Sequence, residues 1–168
     1  MEYVLYMWQL EDTLRAYHCD AERVASDYVA RFAYPPAELQ AEAEWLGHLC
    51  RMMREEQVAE SGHLRINQGT VALMHDLHLQ LLGSDRQPDY AAAYARALPF
   101  IVELRSRNGH THMSETENCL ELLYGIIVLR MQKREVSPET AVAVTHVSRL
   151  MALLADAWHK ERTGELEL

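Results

Sequence analysis

The stretch CLELLYGIIVLRM, Cys119 to Met131, holds only two charges, Glu121 and Arg130. Ser114 and Glu117 stand ahead of it at capping-box spacing, so that serine and glutamate satisfy each other's free backbone donors at a helix start. A helix is expected from there to about Glu135. Its apolar residues surround the axis instead of forming one stripe, which marks a helix at the centre of a bundle. Gly125 in its middle costs roughly 1 kcal/mol against alanine and is read as permitting close helix contact.

Helices extend outward from this segment on both sides. Ser137-Pro138 starts a seventh helix that runs to about Arg162, and residues 160–168 are expected to fray. Upstream, Pro88 opens a fifth helix that ends at Asn108-Gly109, with Pro99 expected to kink or split it. The fourth runs from about Leu64 to Leu82. The third runs from about Pro36 to Glu60, striped by Leu39, Trp45, Leu46, Leu49, Met52 and Met53. Asp20 caps a second helix that reaches about Phe32, where Tyr34-Pro35-Pro36 stops it. The first runs from about Tyr3 to Cys19, with Tyr3, Tyr6, Met7, Leu10, Leu14 and Tyr17 on one face. Few glycines and prolines interrupt the pattern, seven and five, and no strand alternation appears. The expected fold is all-α: a single domain over 1–168, a bundle of six to seven helices with short connections.

The balance of 16 basic against 25 acidic residues leaves a net charge of −9. That repels phosphate backbones and anionic membranes, so neither nucleic acid nor a membrane is an expected partner. No apolar run reaches the roughly 20 residues of a spanning helix. The start, MEYVLYMWQLEDTLR, lacks a basic region and meets Glu11, Asp12 and Arg15 early, unlike a signal peptide. Cys19, Cys50 and Cys119 are odd in number, widely spaced and without a CxxC pair. They are read as buried thiols in a reducing cytoplasm.

The stretch MHDLHLQLL, Met74 to Leu82, holds the main site question. On a helical wheel Asn67, Val71, His75, His78 and Leu82 share an arc of roughly 80°. Both histidines therefore point into the apolar face, where an imidazole needs hydrogen-bond partners. The favoured reading is a pair of satisfied core histidines. One alternative is a small-ligand pocket lined by His75, His78, Arg105 and Asn67. The other is a divalent metal site of His75 and His78 with Glu117 and Glu121. That site lacks a second Glu-x-x-His on an unbroken helix, and no cofactor is expected.

Other segments carry weaker signals. SGHLRINQG, 61–69, leads into a helix start that can hold an anion beside His63 and Arg65, though an ordinary cap and turn is favoured. The loop GHTH, 109–112, has metal-like spacing but no further ligand nearby. Trp8 lies off the apolar face of the first helix, either packed under a neighbour or marking a self-association surface. Arg105 falls within the apolar face of the fifth helix. It either pairs with Glu117 or Glu121, reaches solvent past the helix end, or serves an anionic ligand. Nucleophile elbows and phosphate loops are absent.

The strings EYVLYMWQLED, GHLRINQ, DLHLQLL, LPFIVELRSRNG and LYGIIVLRMQKREVSPET resemble a family of small bacterial proteins known only as a domain of unknown function. The resemblance covers Glu2 to about Trp158 and implies an all-helical cytoplasmic protein. It brings no activity and no functional residues, and it implies extra residues ahead of the first helix. HTHM, 110–113, falls outside it. The functional expectation is a non-enzymatic cytoplasmic protein that binds a partner protein or itself. A homodimer is compatible with the apolar total and Trp8.

Overall fold

In the computed structural model, which describes residues 1–108 and 113–168, the chain folds into helices joined by turns and short loops, and no strand occurs among the described residues. The helices are α1 (Glu2–Ala16), α2 (Ala21–Arg23), α3 (Pro36–Glu55), α4 (Arg65–Leu82), α5 (Pro88–Asn108), α6 (Glu115–Met131) and α7 (Pro138–Thr163). The all-α class read from the sequence is the class observed. Contacts group the chain into two compact units, Glu2–Gly69 and Thr70–Leu168, with the boundary inside α4.

In the first unit, Leu10, Leu14, Val24, Leu46, Cys50 and Met53 form the centre of the core. The buried side of α1 is Val4, Met7, Trp8, Leu10, Glu11 and Leu14. Tyr3 and Tyr6, expected on it, are half exposed. Tryptophan brings the larger apolar area, while tyrosines keep their hydroxyls near water. Trp8 stacks on His63 with centroids 4.2 Å apart, so it packs under a neighbour and marks no self-association surface.

The second helix is shorter than expected. Asp20 caps it, its Oδ1 accepting from the Glu22 and Arg23 amides at 3.0 and 3.2 Å. After Arg23 the backbone widens into a π turn over Val24–Tyr28, then tightens into a 3₁₀ turn over Val29–Arg31. A π turn brings residues five apart almost over one another. That keeps Val24 and Val29 on the same buried side. Helix α3 stops at Glu55, short of the expected Glu60. Gln57 turns left-handed there, and the Val58 amide closes back on the Met53 carbonyl at 2.8 Å. Trp45, expected in the stripe of α3, is 38 % exposed.

In the second unit α5, α6 and α7 pack on one another. Helix α7 buries Val147, Leu150, Met151, Leu154 and Ala157, one face at helical spacing. The expected split of α5 at Pro99 does not occur. Ala97 and Ile101, on either side of it, are both fully buried and hold the two halves to one core. Ser114 and Ser137 cap α6 and α7 by accepting from the amides of Glu117 and Thr140, at 3.1 and 3.2 Å. The tail 164–168 is tied rather than frayed. Gly164 takes a left-handed C-terminal turn, and Gln87 Nε2 donates to the Glu167 carbonyl at 2.7 Å.

Helix α6 departs most from expectation. It buries Thr116, Asn118, Cys119, Leu120 and Ile126, but Leu122, Leu123, Tyr124, Ile127, Val128 and Leu129 are only half covered. Gly125 is exposed, and a Cβ built there meets nothing within 4 Å. The helix is apolar all round without being central, because its own chain does not cover its whole circumference. Helix α4 likewise leaves Ile66, Leu73 and Leu79 more than half exposed.

Candidate functional site

The first turn of α6 places Glu115 just inside the Ser114 cap, where the helix dipole favours a carboxylate. Tyr90 and Tyr94 stand one turn apart on α5, and His75 and His78 share a side of α4. These groups converge on Glu115. His78 Nδ1 lies 2.7 Å from the Tyr90 hydroxyl, and its Nε2 lies 3.4 Å from Glu115 Oε2. With a carboxylate on one side, Nε2–H donates to Glu115 and Nδ1 accepts the Tyr90 hydroxyl proton. The Tyr94 ring sits edge-on to His78 at 5.3 Å, and its hydroxyl bonds Glu115. His75 stacks on His78 at 5.6 Å and bonds Thr116 Oγ1 through Nδ1 at 3.2 Å.

Burial sets the protonation states in this cluster. It pushes the His78 pKa below the usual imidazole value, against an opposing pull from Glu115. Burial, then the bond to Glu115, raises Tyr94 to about 12. Burial and the nearby Glu115 charge raise the Cys119 thiol to about 12. Cys119 is thus a thiol at neutral pH and not a nucleophile. Cys19 and Cys50 are also free, buried and raised by burial.

Tyr90, His78 and Glu115 make a hydrogen-bonded relay. Its inner members are little exposed, Tyr90 at 3 % and His78 at 2 %, and Tyr90 also lines a cavity of about 580 Å³ with Leu81, Arg86, Asp89 and Lys160. Arg105, expected to pair with Glu117 or Glu121, lies 3.9 Å from Glu115 instead, with about a third of its side chain exposed. At that length and exposure the pair contributes under about 1 kcal/mol, so Arg105 is neither a buried ion nor fully in solvent. The anion it faces belongs to the chain itself.

The sequence-predicted site residues divide between clusters. His75, His78 and Arg105 come together around Glu115. Asn67 instead donates from Nδ2 to Glu11 Oε1 at 2.7 Å and accepts from the Tyr3 hydroxyl at 3.3 Å. Of the expected carboxylates, Glu117 gives its amide to the Ser114 cap, and Glu121 lies half-buried one turn further along α6. Among the described residues no group of three or more His, Cys, Asp or Glu is placed to hold a metal ion. The GHTH loop lies outside the described residues.

Sequence reading missed Glu11. Only 1 % exposed, it accepts from the Leu64 amide at 3.1 Å and from Asn67, and meets His63 Nδ1 at 2.6 Å. Arg15 beside it donates to the carbonyls of Val58 and Gly62. The Arg65 amide donates to Glu56 at 2.7 Å. The helix start in SGHLRINQG is therefore held by two of the protein's own carboxylates, the capped reading rather than an anion site. A signal existed: Glu11 follows Val4 by seven residues and precedes Leu14 by three, on the buried stripe of α1.

Another open space in the second unit lies away from the relay. A groove of about 510 Å³ runs between α5, α6 and α7. It is lined by Phe100, Leu104, Leu122, Val142 and Ala143 with Glu103, Glu139 and Thr140. His75, His78 and Arg105 do not line it. Among the described residues no helix is long and apolar enough to cross a membrane. In comparison with known proteins, a family model described as Domain of unknown function (DUF4924) matches residues 1–165. No curated protein and no solved structure matches the chain.

Proposed function

The chain belongs to that family of unknown function, DUF4924, and from this premise we propose that it is a non-enzymatic cytoplasmic protein that works by binding protein, its own copies included. The single observation that supports this is the incomplete cover of α6. A helix apolar on every side keeps six large side chains, from Leu122 to Leu129, only partly buried. Met131 at the end of α6 and Val142 at the start of α7 are more than half exposed. Apolar side chains left exposed in this number favour an interaction surface. The inward-facing Tyr90–His78–Glu115 relay supports a structural role over catalysis, because Tyr90 and His78 are only 3 % and 2 % exposed and spend their polar atoms on one another and on Glu115. The cytoplasmic assignment rests on three free thiols, the chemistry of a reducing compartment.

Photo-crosslinking in cells tests this reading. A photoreactive amino acid at position 142 is expected to give a discrete protein adduct, while one at exposed Arg149 gives none. Equal background labelling at both positions would contradict it.

A further inference from the structure

The cavity beside Tyr90 joins a rigid floor to a loosely held tail. Leu81, Tyr90 and Ala157 line it and are themselves buried. The Tyr90 hydroxyl is anchored on His78 at 2.7 Å, which fixes the ring. Two cations stand in the lining, Arg86 ahead of α5 and Lys160 near the end of α7. Asp89, also there, sits in the first turn of α5, where the helix dipole offsets its charge. The chain's own tail, Glu165 to Glu167, supplies the rest.

Few contacts hold that tail. Gly164 ends α7 with a φ of 74°, and the amides of Glu165 and Leu166 close on the Lys160 carbonyl at 2.8 and 3.2 Å. Beyond this cap, Gln87 Nε2 donates to the Glu167 carbonyl at 2.7 Å, and Arg86 lies 3.6 Å from the Glu167 carboxylate. The two side chains of that ion pair are 65 % and 82 % exposed, so water and salt screen it. Within residues 164–168 only Leu166 is partly buried. The tail leaves about 580 Å³ open, where a packed interior would be filled.

We propose that this cavity docks an extended acidic segment of another protein, with a large apolar side chain between two carboxylates, and that residues 165–167 occupy its place until it arrives. The tail displays the chemistry that the cavity takes. Its apolar side chain is the covered one, a carboxylate faces Arg86, and a backbone carbonyl accepts from Gln87. Lys160 is held first by Asp156, at 2.7 Å, and feels the Glu165 carboxylate as well. Backbone bonds with a pocket for one side chain are the usual means of reading an extended peptide. Tethering keeps the tail at high local concentration, so these few bonds suffice to seat it. A partner displaces it by filling the space that leucine leaves empty, which gains dispersion contacts. This surface lies apart from the α6 side chains above, and crosslinking at position 142 stands or falls independently of it.

Fluorescence anisotropy with labelled peptides tests the proposal. The probes are the tail's own sequence, Gly-Glu-Leu-Glu-Leu, and the same peptide with its central leucine replaced by phenylalanine, both capped at their ends. Leu166→Gly removes the side chain that the tail seats and leaves the floor and the cations intact. That variant should bind the phenylalanine peptide roughly tenfold more tightly than the wild type does. The leucine peptide should bind it more weakly, and adding Arg86→Glu should cancel the gain. In the wild type, a saturating amount of the phenylalanine peptide should move the Leu166 methyl resonances to the positions of an unstructured chain, a readout that needs no variant. Equal affinity of the wild type and Leu166→Gly, or no binding to either, overturns the proposal. So do Leu166 signals that stay in place while the peptide binds, and binding indifferent to Arg86→Glu, which would put the peptide elsewhere.

Discussion

Glu11 shows how a charge is kept inside a protein of this size. Its carboxylate is buried but meets His63, Asn67 and the Leu64 amide, with Arg15 at 3.9 Å. Removing one partner from such a group leaves the others desolvated and unpaired. Glu11→Ala should therefore destabilise the fold by about 3 kcal/mol in a urea titration; a loss below about 1 kcal/mol would show that water replaces the carboxylate freely. His78 sets a pH dependence. Its folded pKa lies below the ordinary 6.5 because burial disfavours the imidazolium. The unfolded chain therefore binds the proton more readily. The contribution of neutral His78 is complete above 6.5 and is lost as pH falls from there towards the lower folded value. Subtracting the profile of His78→Gln should leave a difference that declines only on the acid side of that point. A difference that grows on acidification would show that the folded state prefers the charged ring. The histidine pair was legible in the sequence as two rings on one apolar face. Its partners Tyr90 and Glu115 were not, because wheel geometry within α4 carries no information about which helix faces it.

At the scale of elements, the local signals read well. Asp20, Ser114 and Ser137 cap the helices that the sequence places after them, because a cap is decided by three or four adjacent residues. Signals that depend on distant chain read less well. The face of α1 was misplaced towards its tyrosines, since the Trp8–His63 stack joins residues far apart in sequence. The central position expected of α6 failed for the same reason: periodicity reports where apolar residues are, not how many neighbours arrive to cover them. Gly125 is the sharpest instance. It was read as a point of close contact, yet no side chain or other helix among the described residues comes within 4 Å of a Cβ built there. Gly125→Ala should then raise the stability of the dilute protein by about 0.5–1 kcal/mol through helix propensity alone. Destabilisation measured by thermal or urea unfolding would mean that another helix does press there.

At the scale of the whole molecule, the charge of −9 makes nucleic acid an unexpected partner. The all-helical class was legible from end to end, because helical spacing recurs in every segment and no alternation competes with it. The division of contacts at Gly69–Thr70 was not legible, since it falls inside a continuous helix with no linker composition. The described residues leave apolar side chains open along α6 and at the start of α7, and their central role in the account is to be covered by protein. Solvent paramagnetic relaxation on the methyl groups of Ile127, Val128 and Val142, followed as protein concentration rises, measures that cover directly. Val142 is half exposed and Leu154 fully buried in the single chain. The account predicts that, in the concentrated protein, relaxation at the three methyl sites falls towards the level of Leu154. Relaxation that stays at the value of an open surface at every concentration would contradict it.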